Sequence, residues 1–298
     1  MPFELTRRSF LLSVGILIPV LRPLPNKFQE ITGAQTADQR LSAIEARLGG
    51  RLGVAAWDAQ KGKRVEHRAG ERFPMCSTFK FLLVSAILSR VDANQEKLDR
   101  FIHYTKADLL DYAPITKAHV QEGGMTISAL CAAAIEYSDN TAANLLLGVL
   151  GGPAAVTHYA RTLGDSVTRL DRNEPTLNTA TPGDLRDTTS PSAMLTDMKQ
   201  ILIEQQTLSS ESRKRLEAWM IANTTGLTSL RAGLPSAWRV GDKTGSGKNG
   251  ATNDIAICWP SNRMPVLITA YFVGSSASYA DRCAALAEVG RIVTDEFS

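Results

Sequence analysis

Aromatic and metal-binding residues are scarce in this sequence. Phenylalanine, tryptophan and tyrosine make up 6% of its 298 residues, which disfavours a surface that stacks against nucleic-acid bases. The formal net charge is +3, and basic residues are mixed with acidic ones along the chain, so no nucleic-acid partner is expected. The four histidines are scattered and form no H-E-x-x-H motif, which disfavours a zinc hydrolase. We therefore expect neither a metal ion nor another cofactor.

Cysteine is also rare, and the spacing of the four cysteines fits no zinc site. They are Cys76, Cys131, Cys258 and Cys283. Four cysteines allow three complete disulfide pairings, and their positions alone do not choose among them. Three of the four lie in apolar stretches, where a buried free thiol is common.

No apolar run is long enough to span a bilayer. The apolar stretch near the N-terminus follows the pair Arg7 and Arg8 and runs to about Leu21. A basic pair, an apolar stretch and then a polar segment are typical of a twin-arginine export signal, whereas a plain basic tail would not need this order. We predict that residues 1–35 form an export signal and a flexible N-terminus. The export machinery is then a partner, and the protein is periplasmic or secreted without stable membrane insertion.

Hydrophobic periodicity divides the rest of the chain into two early strands, a helical block and three late strands. The hydrophobic fraction, 44%, is sufficient for a large core. The predicted strands are residues 51–58, 64–68, 238–243, 252–259 and 265–273. The predicted helices are residues 37–48, 77–91, 129–137, 141–150, 153–163, 190–203, 209–222 and 278–294.

This order predicts an α/β (α+β) fold, in which an antiparallel five-stranded sheet is flanked by helices and an all-helical subdomain is inserted. The late strands form a meander, and the early strands join its edge. We assign residues 36–70 and 215–298 to the sheet subdomain. Residues 71–214 form the helical subdomain, which includes a long polar loop at 170–189. A loop of this length in a compact domain is usually functional or disordered, and its single prolines and several charges suit an ordered Ω-loop. The expected site is the cleft between the subdomains.

Ser77 and Lys80 stand at the start of the most apolar predicted helix. Residues three apart share a helix face, so a hydroxyl and an ammonium meet there. Burying an unpaired ammonium is costly, which indicates a polar site beside Lys80. Taken alone, the pair has a simpler explanation, in which Ser77 caps the helix and Lys80 extends to water.

Three further motifs follow Ser77-x-x-Lys80 in chain order. Ser138-Asp139-Asn140 interrupts the helical pattern, Glu174 and Asn178 lie in the long loop, and Lys243-Thr244-Gly245-Ser246-Gly247 lies where a strand meets a glycine turn. Each motif alone is explained as a turn, a solvated carboxylate or an edge-strand lysine. Their joint occurrence in this order indicates a catalytic site.

With these four motifs, residues 37–298 resemble the class A serine β-lactamases, which carry S-x-x-K, S-D-N and K-T-G. The resemblance implies the fold shared by serine β-lactamases and penicillin-binding proteins. It also implies hydrolysis of the β-lactam ring of penicillins and cephalosporins through a covalent acyl-serine intermediate, which confers antibiotic resistance. The implied partners are small-molecule β-lactam substrates, and the implied state is a monomer.

The resemblance assigns a role to each catalytic residue. Ser77 is the expected nucleophile. Lys80, if burial and nearby cations lower its pKa, and Glu174, acting through a water, are both candidate bases for acylation, and the choice stays open. Glu174 then activates the water that hydrolyses the ester, and Asn178 holds this water. Ser138 relays a proton to the β-lactam nitrogen.

The resemblance also implies a substrate-binding set. Its members are Asn140, Asn178, Lys243, Thr244, Gly245, Ser246 and Tyr112. Asn140 is expected to bind the substrate's side-chain amide, and Lys243 with Thr244 its carboxylate. The backbone N–H groups of Ser77 and Ser246 are expected to form the oxyanion hole. Tyr112 is expected to line the cleft entrance.

Several positions depart from the family pattern. Many relatives carry an arginine near the substrate carboxylate at the position of Thr252 or Ser229 here, and whether the nearby Arg231 substitutes stays open. Relatives with a cysteine before the nucleophile pair it with a cysteine at the position of Gly247. The resemblance therefore implies that Cys76 is unpaired.

Two further predictions, outside the catalytic and substrate-binding residues, follow from the same resemblance. Arg172 and Asp187 bracket the long loop and are expected to clamp it as an ion pair, although each could also be a solvated charge. The position that pairs with Cys131 in relatives holds Val84, so Cys131 is predicted to be free.

Two other functions share part of this pattern. A penicillin-binding D-alanyl-D-alanine peptidase has the same fold and nucleophile but lacks a well-placed deacylating base, and Glu174 within Glu-Pro-Thr-Leu-Asn distinguishes the two. A sensor domain would use Ser77 only to trap a β-lactam, and it would be expected to carry a transmembrane segment.

Overall fold

The computed structural model describes residues 1–4, 35–204 and 206–298. Gln35–Ser298 form one packed unit. The predicted export segment around Arg7 and Arg8 lies outside the described residues. Within the described ranges, none of the helices combines the length and the apolar character that crossing a membrane requires.

A five-stranded antiparallel sheet forms the centre of the large unit. Its strands are β1 (Arg51–Asp58), β2 (Arg64–His67), β3 (Arg239–Ser246), β4 (Thr252–Trp259) and β5 (Val266–Val273). Their spatial order is β2-β1-β5-β4-β3, and every neighbouring pair is antiparallel. The predicted meander, with the early strands at its edge, is therefore confirmed.

Ten α-helices flank the sheet in the described part of the chain. They are α1 (Ala37–Leu48), α2 (Phe79–Asp92), α3 (Pro114–Ala118), α4 (Ile127–Glu136), α5 (Asn140–Leu150), α6 (Pro153–Thr162), α7 (Pro191–Leu202), α8 (Ser210–Ile221), α9 (Leu230–Gly233) and α10 (Tyr279–Phe297). Short two-stranded ladders join Phe73–Pro74 to Thr188–Thr189, and Phe101–His103 to Gly124–Thr126.

Both faces of the sheet are covered, which explains its almost continuously apolar strands. All eight residues of β5 are buried. Phe272 belongs to the core between the sheet and helices α1 and α10. Its neighbour Tyr271 belongs to the core that continues into the helical layer. Successive strand residues point to opposite faces, so a strand inside two cores is apolar at every position.

Helix α2 runs through the middle of the helical layer and packs on α4, α5, α6 and α8. Its residues from Phe79 to Leu88 are all buried. A helix that is apolar on every side is a core helix. The α-helix begins at Phe79 and not at the predicted Ser77, because Cys76–Thr78 form a 3₁₀ turn. Cys76, at φ 45°, directs the chain into this turn.

Capping residues stand at the start of α4, α7 and α8. Thr126, Ser190 and Ser209 each accept a hydrogen bond from the backbone N–H three residues later. Each bond satisfies one of the free N–H groups at a helix start. Pro153 occupies the first turn of α6, where its missing N–H costs nothing.

Strand β3 continues three residues beyond its predicted end at Lys243. Lys243 pairs with Ile255, and the ladder extends to the pair of Ser246 and Thr252. Glycine and small polar residues are weak strand formers, so local propensity ends the strand too early. Pairing with β4 maintains it, and the whole K-T-G-S segment lies on the strand.

All four cysteines are buried free thiols. The predictions that Cys131 is free and that Cys76 is unpaired are therefore confirmed. Burial raises the pKa of the Cys76 thiol, which keeps it neutral beside Ser77.

Asp197 on α7 is fully buried, and neither of its carboxyl oxygens has a hydrogen-bond donor among the described residues. Burial, and next the neighbouring Asp165, raise the pKa of Asp197 well above its usual value. Asp165 instead accepts bonds from the N–H groups of Val167 and Thr168. Asp197 is thus the member of the pair that holds a proton.

We expect Asp197→Asn to stabilise the protein increasingly as pH rises. The folded state retains a proton that the unfolded chain releases above about pH 4, so wild-type stability falls with rising pH in that window. The asparagine variant does not titrate. Its melting temperature relative to wild type should therefore rise by roughly 2 °C or more between pH 4.5 and pH 8. A difference that is constant across pH would contradict the assignment.

Candidate active site

The nucleophile candidate lies on the 3₁₀ turn that precedes α2. The Ser77 side chain is largely buried, and Lys80 follows one turn later. Lys80 Nζ donates to Ser77 Oγ at 3.0 Å. This is the contact that the spacing of the two residues predicts.

Lys80 is fully buried, but its ammonium has several acceptors. It donates to the Ser138 carbonyl at 2.8 Å and to Asn140 Oδ1 at 2.6 Å, and it lies 3.0 Å from Glu174 Oε1. Burial lowers the pKa of Lys80, and the Glu174 carboxylate opposes this shift. Lys80 therefore belongs to a polar site, and its side chain does not extend to water.

Glu174 lies on the other side of the Ser77 hydroxyl. Ser77 Oγ donates to Glu174 Oε1 at 3.2 Å, and Asn178 Nδ2 donates to Oε2 at 2.5 Å. Asn144 on α5 fixes the backbone of Glu174 through two bonds of 2.9 Å, one to its N–H and one to its carbonyl. The carboxylate is thus oriented from both its side chain and its backbone.

The long loop is closed behind Glu174 by the predicted ion pair. Arg172 Nε lies 2.5 Å from Asp187 Oδ2, and the Asp187 side chain is fully buried. Asp187 Oδ1 also accepts from the N–H groups of Asp171 and Arg172, at 2.7 and 2.9 Å. The prediction of a clamp between Arg172 and Asp187 is confirmed.

Ser138 lies between two ammonium groups. Lys243 Nζ donates to Ser138 Oγ at 3.0 Å, and Lys80 Nζ lies 3.4 Å from the same oxygen. Burial, and next the charge of Lys80, lower the pKa of Lys243 to about 7. Ser138 adopts φ 57°, while Asp139 caps α5 and accepts from Thr116 of α3. Ser138 and Asn140 face the site, and Asp139 has a structural role.

Strand β3 lies directly against the Ser77 turn. A Cβ at Gly245 would be 2.8 Å from the Met75 carbonyl oxygen and 3.1 Å from the Ser77 nitrogen. Asn253 on the adjacent strand donates to the Met75 carbonyl at 3.0 Å and holds the turn in place. This close approach brings Ser246 beside Ser77, as an oxyanion hole made from their two N–H groups requires.

The cleft between these elements has a volume of about 410 Å³. It is lined by Ser77, Tyr112, Ser138, Asn140, Asn178, Thr225, Thr244, Gly245, Ser246 and Tyr279. The other predicted site residues, Lys80, Glu174 and Lys243, are buried and reach Ser77 or Ser138 through the contacts above. All predicted site residues therefore come together, with Tyr112 half-exposed among the lining residues.

Sequence reasoning missed Thr225 and Tyr279, which line the cleft, and Arg282, which lies beside Tyr279. Thr225 Oγ1 and Thr244 Oγ1 are 2.5 Å apart. Arg282 Nε donates to Thr252 Oγ1 at 2.9 Å, and its guanidinium lies 6.0 Å from the Tyr279 ring centroid. No local motif marks these residues, since they come from two distant segments.

Arg231, which the sequence left open, does not face the cleft. Its guanidinium pairs with the buried Asp242, with Nε 2.9 Å from Asp242 Oδ1. Asn223 Nδ2 donates a hydrogen bond to the second oxygen of Asp242, Oδ2, at 2.6 Å. Arg231 is thus committed to a pair on β3, and Ser229 is buried.

These contacts define an enzyme class. A serine hydroxyl lies between an ammonium and an oriented carboxylate, a second hydroxyl lies between two ammonium groups, and a strand approaches the nucleophile's N–H. This arrangement is that of a serine hydrolase that acts through an acyl-enzyme.

Comparison with known proteins identifies the family. The model of the β-lactamase enzyme family matches residues 36–297. Beta-lactamase CTX-M-97 of Escherichia coli is 45% identical over 284 residues, which cover 94% of this chain and 97% of the relative. Beta-lactamase AST-1 of Nocardia asteroides is 47% identical over 265 residues, or 89% of this chain and 85% of the relative.

Solved structures agree with the sequence relatives. An ancestral class A β-lactamase is 55% identical and superposes with a TM-score of 0.86, covering 88% of this chain and 100% of that one. The chain therefore belongs to the β-lactamase enzyme family, within class A, and is a serine hydrolase that acts on the β-lactam amide bond.

We expect Gly245→Ala to impair catalysis strongly. The added methyl group meets backbone atoms of the Ser77 turn, so strand and turn must separate. A displacement of this kind costs on the order of 100-fold in rate. Steady-state hydrolysis of nitrocefin, a chromogenic cephalosporin, measures kcat/KM.

Gly148→Ala on α5 is the matched control, because an added Cβ there meets nothing within 4 Å. It should retain wild-type activity and gain helix propensity. Equal activity of both variants would contradict the close approach of β3 to Ser77.

Proposed function

We propose that this protein hydrolyses penicillins and cephalosporins through an acyl intermediate on Ser77 and thereby confers β-lactam resistance. The observation that carries the proposal is the position of Glu174. Its carboxylate is 3.2 Å from Ser77 Oγ and is held by Asn178. A base placed beside the ester can activate the water that releases the product.

In acylation, the Ser77 hydroxyl attacks the β-lactam carbonyl as its proton leaves. The Ser77 oxygen lies 3.0 Å from Lys80 and 3.2 Å from Glu174. These two groups are themselves 3.0 Å apart, so a proton taken by either can pass to the other. Both candidate bases therefore belong to one proton-accepting pair, and the N–H groups of Ser77 and Ser246 stabilise the developing oxyanion.

Ring opening requires a proton on the β-lactam nitrogen. Ser138 Oγ lines the cleft and lies within 3.0 Å of Lys243 and 3.4 Å of Lys80. We assign Ser138 as the donor to the nitrogen, with an ammonium replacing the lost proton. This relay needs no titratable group other than the two lysines.

Substrate recognition is divided between the two ends of the cleft. Asn140 accepts a bond from Lys80 through Oδ1, which leaves its amide N–H₂ to donate to the substrate's side-chain carbonyl. At the other end, the hydroxyls of Thr225, Thr244 and Ser246 line the cleft. We assign the carboxylate of the substrate to this end, where Lys243 and Arg282 supply positive charge, and Tyr112 to the cleft wall.

We expect Glu174→Ala to acylate but not to turn over. Ser77 and Lys80 remain in place, so ring opening continues, whereas the water loses its base. Intact-mass measurement after mixing with benzylpenicillin should show one covalent adduct with the mass of the whole drug. Steady-state turnover should fall by at least about 100-fold.

Glu211→Ala on α8 is the control, because this carboxylate is 84% exposed. It should show neither an adduct nor a loss of turnover. Unchanged turnover in Glu174→Ala would remove Glu174 from its assigned role.

We expect Arg282→Ala to raise KM by about tenfold, since a hydrogen bond to a charged group contributes roughly 1.5–3 kcal/mol. Removal of a binding interaction that is equal in the ground and transition states leaves kcat nearly unchanged. Arg291→Ala, an exposed position on the same helix, is the control. A wild-type KM in Arg282→Ala would show that the carboxylate binds elsewhere.

A penicillin-binding peptidase or a drug-trapping sensor would share Ser77, Lys80 and the fold. The position of Glu174 disfavours both, because neither needs an oriented base beside the acyl ester. Stoichiometric acylation of the wild-type protein without nitrocefin turnover would favour the trapping function.

We infer further that residues 1–35 direct export by the twin-arginine route, and that the protein acts in the periplasm or outside the cell as a monomer. The basic pair Arg7 and Arg8 before an apolar stretch supports the route. We also propose that residues 36–70 with 215–298, and residues 71–214, are the two subdomains. The positions of β1 to β5 in the first set and α2 to α7 in the second support this division.

A further inference from the structure

A second cavity lies between the loop at 170–189 and the end of the sheet. Its volume is about 640 Å³, larger than the 410 Å³ of the catalytic cleft. One wall is the loop segment from Ala180 to Arg186 together with Leu177, and the other includes Arg51 and Gly274 at the ends of β1 and β5. The two cavities share no lining residue, so this space is separate from the catalytic cleft.

Four arginines line this cavity, and three of them have a carboxylate partner. The pairs are Arg51 with Glu71 at 2.6 Å, Arg172 with Asp187 at 2.5 Å, and Arg186 with Asp184 at 2.8 Å. Such pairs leave little net charge on the cavity wall.

Arg72 is the fourth arginine, and it differs from the other three. Its Nη1 donates to the Val167 carbonyl at 2.7 Å and to Thr188 Oγ1 at 3.1 Å. Both acceptors are neutral, and within residues 35–204 and 206–298 no carboxylate pairs with Arg72. A guanidinium has five N–H donors, so Arg72 retains donors and a full positive charge. The cavity therefore carries an excess of one positive charge.

Most of the other lining residues are apolar or glycine, and the polar ones are Thr181, Asp184, Thr188 and Asn249. Leu177 and Val273 are buried, and Leu185 is 56% exposed at the rim. A large apolar side chain that is exposed beside a cationic cavity is suited to a ligand with an apolar body and one anionic group.

We propose that this cavity is a second, non-catalytic binding site for a small organic monocarboxylate. The carboxylate pairs with Arg72, where a guanidinium can bind it through two parallel hydrogen bonds. The apolar body packs on Leu177, Val273 and Leu185. One negative charge balances the one unpaired guanidinium.

Binding of 4-(trifluoromethyl)benzoate to the protein, followed by ¹⁹F NMR, tests the proposal. We expect saturable binding with a Kd of roughly 1 mM or tighter, as is typical of a ligand of this size. The neutral analogue 4-(trifluoromethyl)benzyl alcohol should bind at least about tenfold more weakly, because it cannot form the charged pair.

Two variants locate the bound probe. Arg72→Gln removes the cation and should weaken binding of the benzoate at least about tenfold. Leu185→Glu places a repelling carboxylate at the rim and should do the same, and its exposed position leaves folding intact. Arg215→Gln on α8 removes one guanidinium remote from the cavity and should bind as wild type does.

Three results would overturn the proposal. They are equal affinity of the benzoate for wild type and Leu185→Glu, equal affinity of wild type for the benzoate and the alcohol, and absence of saturable binding. If the benzoate bound in the catalytic cleft, wild type and Leu185→Glu would bind it equally, because Leu185 does not line the cleft. Neither variant changes a residue of the cleft, so the result does not depend on hydrolytic activity.

Discussion

The buried ammonium of Lys80 determines the arrangement of the residues around it. A cation without water must be surrounded by acceptors, and Lys80 obtains them from the Ser138 carbonyl, Asn140 and Glu174. These acceptors come from the break between α4 and α5 and from the long loop. Three separate segments must therefore meet at one nitrogen, and their meeting point is the Ser77 hydroxyl. The hydrogen bonds and the ion pair that stabilise the buried ammonium of Lys80 therefore also bring Ser138, Asn140 and Glu174 to Ser77.

The helical subdomain supplies only one side of the cleft, and the sheet supplies the other. Strand β3 passes so close to the Ser77 turn that position 245 has room only for glycine. Asn253 of β4 ties the same turn to the sheet through the Met75 carbonyl. The ladder between β3 and β4 thereby sets the distance between Ser77 and Ser246, whose N–H groups form the proposed oxyanion hole, and the apolar cores on both faces of the sheet keep the ladder rigid.

Local patterns were sufficient to predict the sheet and the main helices, whereas the roles of the site residues came from the resemblance to class A serine β-lactamases. A motif such as Ser77-x-x-Lys80 lies within one helical turn, so the sequence displays it directly. Thr225 and Tyr279 could not be predicted in this way, because only the fold brings them to the cleft. The end of β3 was predicted too early for a related reason, since pairing with β4 overrides the weak strand propensity of Gly245. Arg231 pairs across the fold with Asp242, a contact that no local spacing indicates.

The site also retains local backbone strain, and its contacts explain why that strain persists. Cys76 and Ser138 are non-glycine residues with φ of 45° and 57°, a conformation that costs on the order of 1–3 kcal/mol per residue. Ser138 is held there from both sides, because Lys80 binds its carbonyl and Lys243 its hydroxyl. The two lysines in turn repel one another, which contributes to the lowered pKa of Lys243. Removing either ammonium would relieve that repulsion but would also release Ser138, so the strain at Ser138 and the repulsion between the lysines are consequences of one arrangement.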